Sequence, residues 1–250
     1  MKKLIKKLIA KIKYALKIVP EWKECVHASC WDGSNAQRRM MNIMSPKFSD
    51  SKFKDYVKWM EDRGCDTAHV FYINGGDGEG AGYSVLDDVG LSEKRVKYLR
   101  LHGFAVVPWL MADDSTAYAK KLFANPDQFV NAMKNAGLFD HASYVVLGLE
   151  ADEYGNMQQW TRVRDAVKKA LPKMKIGIHH TSGKYPFASL ADIVLDQLDP
   201  KAATKSAITS AIKKIRSMGK QAVGFEYARH ADRQKAKWAL EAGAFSVGNW

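Results

Sequence analysis

Cysteine is scarce in this chain: three in 250 residues, an odd number. Cys25 and Cys30 fall on one predicted strand with side chains on opposite faces, which disfavours their pairing. No disulfide framework follows, and no CxxC metal spacing is present. Buried free thiols in a reducing compartment are the simpler reading, and cytoplasmic location is the expectation. Proline is also rare, at seven residues, and no long Ser/Gly tract occurs. A flexible linker therefore has no obvious place, and a single domain over residues 1–250 is expected. Every apolar stretch near the N-terminus is broken by lysine, which excludes a transmembrane span there. The same breaks, with no small-residue cleavage site following, exclude a convincing signal peptide.

Several chemistries lack their signatures. The glycine-rich stretch "NGGDGEGAGYS" (74–84) has no GK[ST] ending and reads as a mobile loop rather than a phosphate cradle. Asp77 and Glu79 within it lack EF-hand spacing. No HxH on the first strand and no HExxH on a helix appears, so no metal is expected. The dinucleotide fingerprint is absent from the first strand–helix turn, which disfavours an open doubly wound sheet. No recognised nucleic-acid motif accompanies the basic residues. No cofactor is implied.

What is present begins with charge. The net charge is +12, with 46% hydrophobic and 26% charged residues. Half of the excess lies in residues 1–24, where eight lysines face two glutamates. The segment "MKKLIKKLIAKIKYALKIV" sets Leu4, Ile5, Leu8, Ile9, Ile12, Leu16 and Val19 on one helical stripe opposite lysines. It suits an anionic membrane surface or the flank of the protein's own body, and docking on the body is the preferred expectation.

After Glu24 strands and helices alternate. The strand segments are 24–31, 67–73, 104–110, 143–150, 174–179, 191–197, 221–226 and 244–249. Helical segments are 49–63, 92–102, 126–137, 156–171, 201–218 and 230–242. Ser49–Asp50 and Ser92 are candidate N-caps; Gly64, Gly103, Gly137, Gly219 and Gly243 sit where helices end. The stretch 180–190 holds no convincing helix. Parallel neighbours require such crossovers, and eight strands in about 250 residues predict an α/β fold, the (β/α)8 barrel. The chain ends directly after strand eight, so the helix at 1–20 is expected to stand in for the missing eighth helix.

In such barrels the reactive groups gather at the carboxyl ends of the strands. Those ends hold Trp31 and Asp32, Asn74, Trp109 with Asp113 and Asp114 beyond it, Glu150, His179 and His180, Asp196 and Gln197, Glu226 and Tyr227, and Asn249 and Trp250. Glu150 and Glu226 form the most telling pair. Each closes an apolar strand, "VVLGLE" and "AVGFE", with a glycine shortly before the acid. Strands four and seven face one another across an eight-strand ring. Two carboxyls about 5–5.5 Å apart suit retention at a sugar carbon. The competing structural reading pairs them with Arg162 or Arg229.

Glutamates ending strands four and seven, with a tryptophan ending strand eight, resemble the clan A retaining (β/α)8 glycoside hydrolases. The resemblance implies hydrolysis of a poly- or oligosaccharide. It implies Glu150 as acid/base, Glu226 as nucleophile and Trp250 as a sugar-stacking platform, with His179 or His180 assisting. Trp31, Asp32, Asn74, Trp109, Gln197 and Tyr227 are the further substrate-binding candidates. One position departs from the family, which usually has asparagine before the acid/base where this chain has Leu149. Two other readings stand beside it: a non-catalytic carbohydrate-binding or virion-associated barrel, and a metal-dependent hydrolase using His179 or His180 with Asp196 or Asp199. The expected partner is carbohydrate, with no nucleic acid; membrane contact through residues 1–19 is the less favoured option. Oligomeric state is left open.

Overall fold

A computed structural model describes residues 9, 12, 42–62, 65, 67–75, 80–112, 117–199, 201–225 and 233–247. Its elements are α1 (Asp50–Asp62), β1 (Thr67–Phe71), β2 (Ile73–Asn74), β3 (Tyr83–Ser84), α2 (Val89–Leu101), β4 (Ala105–Trp109), α3 (Ala117–Ala124) and α4 (Pro126–Asn135). Then come β5 (Val145–Val146), α5 (Met157–Ala170), β6 (Ile176–His180), β7 (Ile193–Gln197), α6 (Lys205–Ser217), β8 (Gln221–Phe225), α7 (Arg233–Glu241) and β9 (Ser246–Val247).

Seven strands form one all-parallel sheet in the order β1-β4-β5-β6-β7-β8-β9, so strands follow one another around it in chain order. This is the succession a (β/α)8 barrel requires. The seven correspond to the predicted strands two to eight. The predicted first strand, 24–31, lies outside the described residues. So does the N-terminal segment, apart from Ile9 and Ile12. Both of these are helical and exposed, at 47% and 50%, so neither side chain is packed into a core.

The strands read as near-continuous apolar runs because both faces are covered; β1 and β4 are buried at every residue. Register separates the faces. Phe71 pairs with Trp109, Trp109 with Val146, Val146 with Gly177 and Gly177 with Ile193. Residues of that parity, His69, Trp109, Tyr144, His179 and Leu195 among them, share the inner face. Residues of the other parity meet helices: Val194, Ala222 and Val247 pack with Ile208, Ile212 and Ile215 of α6 and Ala236 and Ala239 of α7.

Helix boundaries follow local chemistry. Ser49 accepts from the Lys52 amide through its hydroxyl, as expected of an N-cap. The second helix starts a turn earlier than expected: Asp88, not Ser92, caps it, accepting from the Leu91 amide at 2.9 Å. Ser92 lies inside and donates to the Val85 carbonyl at 3.0 Å. Asn156 and Gln159 make a reciprocal capping box at α5. Gly103 and Gly219, with φ of +93° and +75°, end α2 and α6 in the left-handed region. The irregular stretch after β6 contains one 3-10 turn, Ala188–Leu190.

Two features were not expected. A short helix, α3, precedes α4 and packs on α5 and β2. The ends of the glycine-rich stretch are fastened: Ile73 pairs with Ser84 and Asn74 with Tyr83 in an antiparallel ladder. The Gly82 amide donates to the Asn74 carbonyl at 2.7 Å, and the Tyr83 hydroxyl donates to the Phe71 carbonyl at 2.9 Å. Residues 76–79 of the expected loop lie outside the described residues.

Candidate active site

The regular ladder of β5 is only two residues long, although its apolar run continues to Leu149. The reason is Trp160 of α5. A Cβ on Gly148 would lie 2.3 Å from Trp160 Cη2, so only glycine admits the indole against the strand. The indole N–H donates to the Ala151 carbonyl at 3.0 Å. Around this contact the backbone changes partners. The Leu147 amide donates to Gly177 O on β6, and the Leu149 amide crosses to Met111 O beyond β4. The Ala151 amide then returns to His179 O; all three bonds are 2.9 Å.

Glu150 sits at the centre of this exchange. It is half-buried, with φ of +47°, in the left-handed region. That region costs an L-residue with a Cβ roughly 1–2 kcal/mol. The conformation is held on both sides. The Glu150 amide donates to His179 Nδ1 at 2.9 Å, while its carbonyl accepts from the Glu153 and Tyr154 amides at 2.8 and 3.2 Å. Arg162, a possible structural partner from sequence, instead donates to the Ala124 carbonyl at 2.9 Å.

Beneath Glu150 lies a buried aromatic floor. Trp109 is fully buried, with its ring 5.4 Å from that of His179 and 5.7 Å from that of His69. Its indole N–H donates to His69 Nδ1 at 2.8 Å. An indole can only donate, so His69 accepts at Nδ1 and carries its proton on Nε2. The same logic gives His179 the same tautomer, since a backbone amide donates to its Nδ1. Burial drives the pKa of each ring down to about 3, with the neighbouring His180 adding to the effect at His179. Both imidazoles are neutral at ordinary pH.

The two carboxylates after Glu150 tie neighbouring turns together. Asp152 accepts from the Thr181 amide at 3.1 Å and the Ser182 amide at 2.8 Å. Glu153 accepts from the Thr181 hydroxyl at 2.7 Å. Burial pushes the Asp152 carboxyl up, but hydrogen bonds from Ser182 and Thr181 and the nearby His180 outweigh it, and its pKa is lowered.

The remaining candidates divide by position. Asn74 is buried and donates to Asn42 Oδ1, so its amide is engaged within the protein. Gln197 has the inner-face parity of His179 and ends β7 half-buried; its Oε1 is enclosed without a hydrogen-bond partner. Glu226, Tyr227, Trp31, Asp32 and Trp250 lie outside the described residues, as do Asp77, Glu79, Asp113 and Asp114. Trp109 has no face open to water, in contrast to the platform expected there. His180 and Asp196 have the outer parity: the Tyr185 hydroxyl donates to Asp196 Oδ1 at 2.6 Å, and the Phe187 amide donates to His180 Nε2 at 3.3 Å. His179 and Asp196 are therefore on opposite faces of the sheet. Among the described residues no three His, Cys, Asp or Glu side chains gather to hold a metal.

His69 escaped the sequence reading. Its signal was parity, because it lies two residues before Phe71 and so shares the inner face with Trp109.

Solved structures sharing this architecture include glycoside hydrolases. A family GH113 β-1,4-mannanase superposes with a TM-score of 0.55 at 10% identity, covering 91% of this chain and 88% of its own. An exo-β-1,4-mannosidase from Opitutaceae bacterium strain TAV5 gives 0.62 at 14% identity, covering 90% of this chain and 50% of its own. A glycoside hydrolase family 5 protein from Bacteroides vulgatus ATCC 8482 gives 0.59 at 10% identity, covering 81% and 54%. The seven described strands share the (β/α)8 barrel fold of these structures. β5 is the third of the seven described strands and corresponds to the predicted strand four; Glu150 follows it on the carboxyl side, where barrel enzymes carry chemistry. The chain spans about half the length of the mannosidase and of the family 5 protein. No family model matches the chain, and no curated protein matches its sequence.

Proposed function

We propose that this barrel hydrolyses O-glycosidic bonds of a poly- or oligosaccharide with retention of anomeric configuration. In this reading the Glu150 carboxyl protonates the leaving oxygen while the Glu226 carboxylate attacks the sugar carbon and forms a glycosyl ester. Glu150, now ionised, then takes a proton from the water that hydrolyses that ester. Trp250 stacks on a sugar ring. Neither metal nor organic cofactor enters the reaction.

The observation that carries the reading is Glu150 itself: a half-buried residue following β5 on its carboxyl side, on a left-handed backbone, in a sheet that superposes on a mannanase. Strained backbone of that kind concentrates where geometry serves chemistry. The mannanase and mannosidase among the structural neighbours make a β-1,4-mannan the first substrate to offer. The net charge of +12 adds acidic glycans to the panel.

The test is a polysaccharide panel with the wild-type protein, Glu150→Gln and Glu226→Ala. Glu150→Gln is expected to lower turnover by about 10²–10⁴-fold, the usual contribution of general acid–base catalysis. Glu226→Ala is expected to be inactive and to regain cleavage when azide is added. Full hydrolysis by either variant would refute the two-glutamate mechanism.

A further inference from the structure

The geometry points to His179 as the positioning residue of Glu150: a neutral imidazole whose Nδ1 accepts the Glu150 amide and holds that residue in its left-handed turn. This inference rests on the proposed role of Glu150 and names what fixes it in place.

Two consecutive amides bind one residue. The Glu150 N–H goes to the His179 ring and the Ala151 N–H to the His179 carbonyl, both at 2.9 Å. In an extended strand successive amides point to opposite sides. Here a left-handed residue turns them to the same side, and the second acceptor must be a side chain, because β6 supplies one carbonyl at that level. Asparagine aside, few residues place an acceptor atom directly on Cγ as histidine does with Nδ1. The ring cannot swing away, because it is fully buried and packed at 5.4 Å from Trp109. It stays an acceptor at working pH, since burial keeps it uncharged. His179 thus supplies an amide acceptor, fixed by packing, where the strand ladder has run out. The direction in which the Glu150 side chain leaves the backbone depends on that acceptor.

The experiment compares His179→Asn, which keeps an acceptor atom on Cγ, with His179→Leu, which keeps volume and loses it. Amide hydrogen exchange is read at Glu150 and Ala151. In His179→Leu the Glu150 amide is expected to lose about tenfold or more of its protection, as an opened hydrogen bond does. Ala151, bound to a main-chain carbonyl, is expected to stay protected and so reports an intact fold. His179→Asn is expected to protect both. In glycan hydrolysis kcat is expected to fall about 10–100-fold in His179→Leu with KM little changed, the effect of a misplaced group. The Asn variant is expected to recover most of kcat.

Equal protection of Glu150 in the Leu and wild-type proteins, or equal loss of kcat in the Leu and Asn variants, would overturn the assignment. Absence of hydrolysis in the wild type would refute the proposed function alone, because the exchange contrast at Glu150 is read without substrate.

Discussion

Lowering the pH from 7.5 to 5 should destabilise this protein steeply, and the size of the effect follows from three histidines. His69 and His179 are held down to about 3, first by burial, and His180 to about 4 for the same leading reason. In the unfolded chain each would titrate near 6.5. As pH falls through 6.5 the unfolded state takes up protons that the folded state refuses, so stability is full above that point and drains toward pH 4. At pH 5 each group contributes about 2 kcal/mol of lost stability, and the three together about 6 kcal/mol. That is comparable to the whole stability of an ordinary domain, 5–15 kcal/mol. For a chain of this size it corresponds to a fall in Tm of roughly 12–24 °C. Thermal melts followed by circular dichroism at constant ionic strength, from pH 8 to 5, measure it. His180→Asn removes one titrating group and should reduce the acid slope by about a third. A Tm that moves by less than about 4 °C across this range would refute the buried, neutral state of these rings.

Other consequences of the packing can be checked in the same way. Gly148→Ala should cost about 3 kcal/mol, the upper range for overpacking, because the new methyl meets the Trp160 ring; a urea midpoint measures it, and a fully stable variant would refute the contact. Trp109→Phe keeps an aromatic ring but deprives buried His69 Nδ1 of its donor, at an expected cost of about 1–3 kcal/mol by the same measurement.

The alternation of strands and helices was legible because parallel strands buried on both faces leave unbroken apolar runs, such as "TAHVF" and "AVVPW", separated by helical periodicity. Gly103 and Gly219 marked helix ends correctly, since a left-handed cap is a local demand. Less visible was anything set by a distant partner. The run 143–150 looks like one long strand, yet Trp160 of α5 limits its regular ladder to Val145–Val146. α3 spans only eight residues, too few for a convincing period, and the polar stretch before it masked its start. At the strand ends residue type was readable but facing was not. Trp109 resembles a platform in sequence, whereas pairing with Phe71 and Val146 turns it into the interior floor. Glu150 was noticed as a costly carboxylate. Its left-handed backbone could not be foreseen, because such a position normally announces itself as glycine.

The short antiparallel ladder joining Ile73–Asn74 to Tyr83–Ser84 has a use in protein engineering. Both feet of the glycine-rich stretch are anchored by buried residues of this ladder. Doubling the length of such a tethered insert adds only about 0.6 kcal/mol of closure entropy. New sequence grafted between Gly75 and Gly82 would thus change what the protein presents at that edge while leaving the parallel strands undisturbed.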